Sequence, residues 1–410
     1  MSLSRKNRLL YINHTGMVSG AEKVLINILR GLDRARYEPC VLCPAQGELA
    51  AAIRAEGAEW FPLPAMNARF ARRPDRVLQS MVSLFKTVSA MRKQIGMLNP
   101  DLIHANSVRA GIAASLAAIG TGKPVIWHVH DTLPKHAVSA AIRAFAFLNR
   151  SIRIIAVSQS TADSFTGTLP FKSRVRTIHN GTDLRRFPQK QPGRSAFRES
   201  IGVSDQEFLV CAVGQICRRK GLLELVNAFK QIHTQAPDMH LAIVGKVVFR
   251  HEETYLDALR SAVREPGIEH RVHFTGELGD VSPALQAADL LVLNSSDEPF
   301  GLVLIEAMAS GTPVLATRVG GVPEIVTDQQ NGWLIESGDA GALPLRLLEL
   351  SRNRSALAEV AERALNTTCP KFSLERFQSD LMKFYAELDP GTDLTWDMRN
   401  RPALARRGNN

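Results

Sequence analysis

The sequence predicts an α/β protein in which two Rossmann-like domains face each other across a cleft. Short strands that are apolar nearly throughout alternate with helical stretches, and this pattern is typical of parallel strands buried on both faces. The alternation stops near residue 187 and restarts near residue 207. A chain of 410 residues, 45% of them hydrophobic, is long enough and apolar enough to build two cores.

The first half contains five predicted strands separated by helices. The helical stretches include Ala21–Leu32 and Asp75–Leu98, in which apolar residues recur at helical spacing. This succession of strand and helix predicts a doubly wound parallel sheet. The predicted strands are Leu9–Asn13, Cys40–Cys43, Asp101–Asn106, Pro124–His130 and Arg153–Ser158.

The second half repeats this alternation. Three of its strands end on glycine or run into small residues at the carboxyl edge, where α/β proteins bind ligands. The predicted strands are Phe208–Gly214, His240–Gly245, Arg271–Gly276, Asp289–Ser295 and Pro313–Arg318. We therefore expect an N-terminal domain over residues 1–187, a linker over 188–206, a C-terminal domain over 207–370, a helix over 371–388 that packs back towards the first domain, and a basic flexible tail over 389–410.

The net charge of +10 is concentrated in two segments. Residues 66–98 carry seven cations against one acid, and four arginines follow Asp397. Positive patches attract phosphate groups, whether on nucleic acid, anionic lipid or a phosphorylated substrate. One hypothesis is that the segment 69–93 rests on an anionic membrane surface, and the alternative is that Asp75–Leu98 is an ordinary helix packed on the N-terminal sheet. No nucleic-acid-binding motif accompanies these charges, and we expect no nucleic-acid partner.

The remaining composition favours a cytoplasmic protein, peripheral at the inner face of the membrane. No apolar stretch approaches the roughly 20 residues of a membrane-spanning helix, and the N-terminus does not read as a signal peptide. The five cysteines lie in apolar settings and do not suggest a disulfide framework or a zinc site.

The most informative stretch, Ser295–Val326, contains two glutamates near one expected helix N-terminus. Glu298 should lie at the end of a strand, and Glu306 about one turn inside the following helix. Two carboxylates beside unbonded amides predict a site that binds sugar hydroxyls or an anion. The amides expected to be free are those of Phe300, Gly301, Leu302 and Val303.

Cations cluster where the first strand of the second half meets its first helix. Arg218, Arg219 and Lys220 lie on this turn, where they could neutralise a diphosphate leaving group. The sequence contains no Asp-x-Asp pair, so we expect no metal and assign this role to the protein's own cations. The turn Gly320-Gly321 should bring backbone close to a bound nucleotide.

These residues resemble glycosyltransferase family 4. The resemblance rests on the glutamate pair in EPFGLVLIEAMASGTPV, the strand turn GQICRRKG and the sequence IHNGTD at Ile178–Asp183. It implies a GT-B fold and transfer of sugar from a nucleoside diphosphate with retention of anomeric configuration. It also implies that Glu298 contacts the donor sugar, Glu306 the ribose and Lys220 the diphosphate.

The chain departs from the family pattern at Gln215, where the family usually has arginine. Glutamine donates hydrogen bonds but carries no charge. Either Arg218 or Arg219 compensates for the missing cation, or diphosphate binding depends more heavily on Lys220.

The first half adds two further points of resemblance. His130 ends a predicted strand at the place where the family commonly keeps a histidine near the reacting sugar, although His128 shares its side of the strand. The expected catalytic residues are thus Glu298, His130 and Lys220. Thr15–Val24 is similar to the family's glycine-rich first loop, with three residues expected to face the cleft: Gly16, Gly20 and Glu22.

The sequence predicts a metal-independent hexosyltransferase, and the resemblance implies that it retains the anomeric configuration. It would move a hexose or N-acetylhexosamine from a UDP- or GDP-sugar, needing no other cofactor, to a glycan or lipid-linked acceptor in polysaccharide or glycan assembly. One alternative is a GT-B sugar-nucleotide epimerase or phosphorylase, and another is a non-catalytic member that binds sugar nucleotides. Incubation with the nucleotide sugar alone separates an epimerase from a transferase.

Overall fold

Two parallel β-sheets, one in each half of the chain, form the framework of the protein and confirm the predicted fold class. They are seen in a computed structural model that describes residues 5–66, 74–167, 172–187, 194–248, 252–264 and 267–388. Residues 188–193 of the predicted linker and the tail 389–410 lie outside the described residues. Three arginines of the basic segment, Arg69, Arg72 and Arg73, also lie outside them.

The first sheet has seven strands, of which the sequence predicts the five central ones. The strands are β1 (Asn7–Ile12), β2 (Tyr37–Cys43), β3 (Glu59–Pro62), β4 (Leu102–Ala105), β5 (Val125–Val129), β6 (Ile152–Ala156) and β7 (Val175–Thr177). Their spatial order is β3-β2-β1-β4-β5-β6-β7, with every neighbouring pair parallel. Because β1 lies between β2 and β4, the strand order reverses there, and such a switch point opens a crevice at the carboxyl edge.

Helices cover both faces of the first sheet. They are α1 (Gly20–Arg30), α2 (Leu49–Ala55), α3 (Pro74–Leu98), α4 (Val108–Ala117), α5 (Ala137–Leu148) and α6 (Gln159–Thr166). Alanines along α4 let this helix approach the sheet closely, and Gly111 leaves room for the buried ring of Trp127. A Cβ atom on Gly111 would lie 2.6 Å from that ring, so the close packing depends on the missing side chain.

The second sheet has six parallel strands. They are β8 (Phe208–Val213), β9 (Met239–Val244), β10 (Val272–Gly276), β11 (Leu290–Leu293), β12 (Val314–Thr317) and β13 (Trp333–Ile335). Their order is β10-β9-β8-β11-β12-β13, so the switch point lies between β8 and β11. Residues that follow these two strands therefore line one crevice.

The helices of the second half are α7 (Arg194–Ser200), α8 (Leu222–Ile232), α9 (Glu253–Val263), α10 (Ser282–Ala287), α11 (Leu302–Ala309), α12 (Val322–Ile325), α13 (Ala342–Ser351) and α14 (Arg354–Thr367). Helix α7 falls inside the stretch 188–206 that was expected to be a linker. Its Phe197 packs with Leu209 and Cys211, so this part of the stretch belongs to the second core.

The last helix, α15 (Leu374–Glu387), crosses back to the first sheet. Its Phe377, Leu381 and Tyr385 are buried among residues of β1, which include Leu9 and Tyr11. Each large apolar side chain buried in this way stabilises the contact by about 1.5–3 kcal/mol. Among the helices of the described residues, none is both long enough and apolar enough to cross a membrane.

Candidate functional site

Glu298 and Lys220 meet at the crevice of the second sheet. Glu298 follows β11 and Lys220 follows β8, and the Lys220 Nζ donates to Glu298 Oε2 at 2.6 Å. The Ser295 hydroxyl donates to the same oxygen at 3.2 Å. Glu298 is 8% exposed, and its second oxygen, Oε1, has no hydrogen-bond partner within the described ranges. The structure thus brings together two predicted site residues that lie 78 positions apart.

The turn that carries Lys220 depends on a glycine. Arg218–Lys220 form one turn of 3₁₀ helix, and Gly221 after it has a φ angle of +60°. A Cβ atom at Gly221 would lie 2.1 Å from the carbonyl oxygen of Asn294, so no larger residue fits. The Asn294 side chain in turn donates to the Gly221 carbonyl at 2.9 Å. This contact ties the Lys220 turn to the end of β11.

The glycine pair Gly320-Gly321 braces the main chain of Glu298. The Gly321 amide donates to the Glu298 carbonyl at 2.9 Å, and a Cβ atom at Gly320 would lie 2.0 Å from that oxygen. From the sequence, these glycines were expected to lie close to a bound nucleotide. The close approach that the structure shows is to the Glu298 segment itself.

The N-terminus of α11 presents free amides beside Glu298, as predicted. No hydrogen bond joins the amides of Phe300, Gly301, Leu302 and Val303 to the described residues. The Phe300 ring is buried between His179 and Phe372, so this residue offers its amide but not its side chain. Gly301 begins the helix with a φ angle of +104°.

Glu306 lies one turn inside α11 and is half-buried. Burial raises the pKa of its carboxyl group, while the charges of Lys23 and Arg186 oppose the rise. Because Lys23 belongs to α1, the first domain contributes to the electrostatics of this glutamate. No hydrogen bond from the described residues reaches its carboxylate, which is therefore available to a ligand.

The two arginines beside Lys220 lie in different surroundings. The half-buried Arg219 donates from Nη1 to the Asp297 carbonyl at 3.0 Å, next to Glu298. The exposed Arg218 places its guanidinium carbon 5.5 Å from the ring centroid of Tyr255, in α9. Arg219 therefore belongs to the cleft, whereas Arg218 packs on the neighbouring helix. Gln215 lines a small cavity with Lys220.

His130 lies at the cleft edge of the first sheet, just after β5. It is half-buried, and its Nε2 is hydrogen-bonded to Asn106 Oδ1 at 3.1 Å. The Asn106 amide also donates to Asn13 Oδ1 at 3.0 Å, which links the ends of β4 and β1. Burial and the nearby His14 lower the pKa of His130 to about 3. This imidazole is therefore neutral at pH 7.

His128, the alternative to His130, lies inside the protein. Its Nδ1 is 3.2 Å from His104 Nε2, and His104 Nδ1 is 2.7 Å from the hydroxyl of Tyr385 in α15. Burial lowers the pKa of His104 to about 3 and that of His128 well below its ordinary value. These two histidines connect the sheet to the returning helix and do not reach the cleft.

The two glycines of the glycine-rich first loop differ in their surroundings. Gly20 starts α1 with no atom within 4 Å of where a Cβ would lie. Gly16 packs against the carbonyl of Gln46. Glu22 was expected to face the cleft, but it does not. It is buried, and it accepts hydrogen bonds from the amide and hydroxyl of Ser19 and from Asn13, so it caps α1.

Asp131, directly after His130, is a cleft residue that the sequence analysis did not single out. Partial removal from water raises its pKa, and the positive charge of Arg219 opposes the rise. Arg219 comes from the second domain, so its charge acts across the cleft. The run WHVHD contained the signal, since an acid that follows a strand-end histidine falls at the same sheet edge.

The five cysteines are all buried, and none of them forms a disulfide. Burial raises the pKa of the Cys40 and Cys43 thiols to about 11. Within the part of the chain that the structure describes, no group of three or more His, Cys, Asp or Glu side chains is arranged to hold a metal ion.

Two family profiles match most of the chain. The family described as "Glycosyl transferases group 1" matches residues 193–367, and "Glycosyltransferase Family 4" matches residues 18–186. The first range contains Lys220, Glu298 and Glu306, and the second contains His130. The two profiles thus meet at the cleft.

Curated relatives and solved structures are also similar to the chain. The N-acetyl-alpha-D-glucosaminyl L-malate synthase of Bacillus anthracis is 28% identical, over 71% of this chain and 75% of that one. The D-inositol 3-phosphate glycosyltransferase of Salinispora tropica is 31% identical, over 70% of this chain and 64% of its own length, which is less than two thirds. Anabaena HepE in complex with UDP-glucose has a TM-score of 0.80 and 25% identity, covering 93% of this chain and 99% of that one.

Proposed function

The chain belongs to glycosyltransferase family 4, and on this premise we propose that it moves a hexose or an N-acetylhexosamine from a UDP- or GDP-sugar to an acceptor hydroxyl, with retention of configuration. The ion pair of Lys220 and Glu298 carries the proposal. It lies where α/β proteins bind nucleotides, between the carboxyl ends of β8 and β11. One carboxylate oxygen and two of the three Lys220 N–H donors remain available for a ligand.

Each member of the site has a distinct task in this proposal. Glu298 accepts hydrogen bonds from the donor sugar, and Glu306 accepts them from the ribose. Lys220, Arg219 and the free amides at the start of α11 stabilise the diphosphate as its negative charge develops. Arg219 supplies the cation that Gln215 lacks, because Arg218 is engaged with Tyr255. The charge is balanced without a metal ion.

The transfer exchanges one bond at the anomeric carbon for another. The bond to the leaving diphosphate breaks, the bond to the acceptor oxygen forms on the same face, and the diphosphate takes the acceptor's proton. His130 stays neutral at pH 7, so we expect it to hydrogen-bond the reacting sugar without carrying charge. Closure of the cleft excludes water from the oxocarbenium-like transition state.

The similar proteins support the substrate classes. HepE is described in complex with UDP-glucose, and two relatives are named as an N-acetyl-alpha-D-glucosaminyl L-malate synthase and a D-inositol 3-phosphate glycosyltransferase. We infer for this chain a nucleotide sugar as donor and a glycan or a lipid-linked molecule as acceptor.

A thermal-shift screen across UDP-, GDP- and ADP-sugars tests the donor assignment. A ligand that binds the folded chain raises the unfolding midpoint, and we expect this effect from a UDP- or GDP-sugar. NMR of the transferred anomeric centre should show retention. No midpoint shift with any nucleotide sugar, or an inverted product, would contradict the proposal. A nucleotide sugar that epimerises without an acceptor would favour the epimerase alternative.

We further propose that α3 rests on an anionic membrane surface. Its described part exposes Met81 (64%) and Phe85 (74%) one turn apart, with the exposed cations Lys86 and Lys93 nearby on the helix. An apolar face flanked by lysines suits a lipid headgroup region, where each cation adds about 1 kcal/mol.

Liposome flotation tests this surface. Liposomes that contain an anionic lipid should retain the protein at low salt, and neutral liposomes should not. Phe85→Ser should reduce retention. Leu345→Ser provides a matched control, because Leu345 is 69% exposed but belongs to α13 of the other domain. Equal retention by both liposomes would contradict an anionic surface.

A further inference from the structure

The two residues that flank Glu298 are each held by a hydroxyl group of the first domain. The Thr132 hydroxyl donates to Asp297 Oδ1 at 3.0 Å. The Ser158 hydroxyl donates to the Pro299 carbonyl at 2.6 Å. Thr132 and Ser158 follow β5 and β6, so both hydroxyls come from the carboxyl edge of the first sheet. Two hydroxyl groups of the first domain therefore hydrogen-bond the segment Asp297–Pro299 of the second domain, here called the donor segment.

The two contacts differ in their surroundings. Ser158 is fully buried and also caps α6 by accepting from the Thr161 amide at 3.0 Å. A Cβ atom at Gly321 would lie 2.9 Å from the Cβ of Ser158, so the two domains pack tightly here. Thr132 and Asp297 are only half-buried. Separation of the domains would break both contacts, and the half-buried Thr132 contact is the more exposed of the two.

We propose that Thr132 and Ser158 are positioning residues that complete the donor-sugar site from the first domain. This inference rests on the proposed function. The hydrogen bonds to Asp297 and Pro299 fix the main chain on both sides of Glu298. Ser295 and Lys220 fix its carboxylate. Glu298 therefore reaches its working position only when the Thr132–Asp297 bond is made, which couples closure of the cleft to binding of the sugar.

The nucleotide part of the donor does not depend on this coupling. Lys220 and Arg219 lie on the turn after β8, and Glu306 lies on α11, all within the second domain. Loss of the Thr132 hydroxyl should therefore impair sugar transfer but not nucleotide binding. A residue that merely stabilised the fold would affect both.

Thr132→Val removes the hydroxyl at nearly constant volume. The assay follows release of UDP from UDP-glucose with water as acceptor, and a parallel arm uses GDP-mannose, so the natural acceptor need not be known. We expect kcat to fall about tenfold, the scale of one net hydrogen bond, with the calorimetric Kd for UDP or GDP changed less than about twofold. Thr132→Ser should restore kcat.

Three further variants separate positioning from folding. Asp297→Asn keeps an oxygen that can accept the hydrogen bond and should retain activity, whereas Asp297→Ala should reproduce the loss. Thr121→Val is the matched control, because the Thr121 hydroxyl donates within a turn of the same domain, to the carbonyl of Ala118. It should leave kcat unchanged.

Wild-type kcat in Thr132→Val would overturn the inference. So would parallel losses of kcat and nucleotide affinity, or a lowered unfolding midpoint that Thr132→Ser fails to restore. A wild-type protein that binds neither nucleotide and releases none from either sugar donor would instead contradict the proposed function.

Discussion

The two ends of strand β11 each carry a buried carboxylate paired with a cation, yet the two pairs differ in how completely they are hydrogen-bonded. At the amino end, Asp289 Oδ2 accepts from Arg198 Nη2 at 2.7 Å and from the Leu209 amide at 2.9 Å, and its Oδ1 lies 3.6 Å from Arg354 Nη1. The fully buried Arg198 also donates to the carbonyls of Ala287, Ser204 and Glu207. At the carboxyl end, Glu298 accepts from Lys220 and Ser295 on one oxygen only.

This difference in hydrogen bonding distinguishes an ion pair that stabilises the fold from an ion pair that is available to bind a ligand. A buried ion pair costs several kcal/mol of desolvation per ion, and only further hydrogen bonds recover that cost. The Arg198–Asp289 pair obtains these bonds from the chain. The Lys220–Glu298 pair leaves donors and an acceptor unused beside a crevice, where a nucleotide sugar can satisfy them. Saturation of hydrogen bonds, more than burial, therefore distinguishes the two roles.

The largest effect is expected at the saturated end. Arg198→Met should destabilise the protein by about 3–5 kcal/mol, because it removes the buried cation of Asp289 and leaves only the exposed Arg354, whose Nη1 lies 3.6 Å from Asp289 Oδ1. Chemical denaturation followed by circular dichroism measures this loss. Arg346→Met breaks the surface pair of Arg346 with Glu349 and should cost at most about 1 kcal/mol. Similar losses in the two variants would break the comparison.

The ligand-binding end should show the opposite behaviour. Glu298→Gln preserves size but removes the charge that faces the sugar and Lys220. We expect UDP release from UDP-glucose to slow by about 10²–10³-fold, as for the loss of one preorganised electrostatic group. The unfolding midpoint should change little, because Lys220 can turn to solvent. Strong destabilisation with normal turnover would place Glu298 with Asp289 as a structural residue.

The central strands and the second-domain site were predictable because their signals are local. Long apolar runs such as the one around β5 are unmistakable, whereas β3, β7 and β13 have only three or four residues at or near the sheet edges and were missed. Glu298 and Lys220 stand out because each lies in the segment between a strand and the next α-helix, and the carboxyl end of that strand borders a switch point. Their meeting follows from the topology of any such sheet.

Other parts of the site could not be predicted in the same way. Ser19 and Glu22 form a capping box that is readable as S-x-x-E, so the capping role of Glu22 was within reach of the sequence. The contacts of Thr132 and Ser158 were not, because they join positions 165 and 141 residues apart through single hydroxyl groups. Hydrophobic periodicity also does not reveal which of Arg218 and Arg219 faces the cleft. Nor does it reveal that His128 is buried.

Arg218 and Arg219 allow the same comparison between a structural and a ligand-binding residue within a single turn of the chain. Arg219→Gln should weaken UDP binding about tenfold, the scale of one charge-assisted hydrogen bond. Arg218→Gln is the matched control and should change the Kd by less than about twofold, since its guanidinium stacks on Tyr255. Isothermal titration with UDP measures both. Equal weakening would show that closeness to Lys220, not contact with the Asp297 segment, decides which cation serves the ligand.

Glu324 tests whether saturation alone marks a structural carboxylate, because it lies beside the donor segment yet resembles Asp289. Its oxygens accept from the amides of Gln159 and Ser160 at 2.8 and 2.9 Å and are hydrogen-bonded to His179 at 2.8 Å. By this criterion Glu324 joins the domains and takes no part in catalysis. Glu324→Gln should cost about 1 kcal/mol of stability and leave UDP release within about twofold.

The pH dependence of the stability lost in Glu324→Gln shows whether the charge of Glu324 or the packing of its side chain stabilises the fold. Burial raises the pKa of its carboxyl group, but the hydrogen bonds from His179, Gln159 and Ser160 outweigh burial and hold the pKa below the ordinary value of 4.5. A carboxyl group with a depressed native pKa stabilises the fold fully above its unfolded pKa, and this contribution is lost as the pH falls through the native pKa. The difference in unfolding midpoint between wild type and Glu324→Gln should therefore be constant near neutrality and shrink below pH 4.5. A difference that persists unchanged in acid would assign the stabilisation to packing, and saturation would then fail as the criterion that separates the two ends of β11.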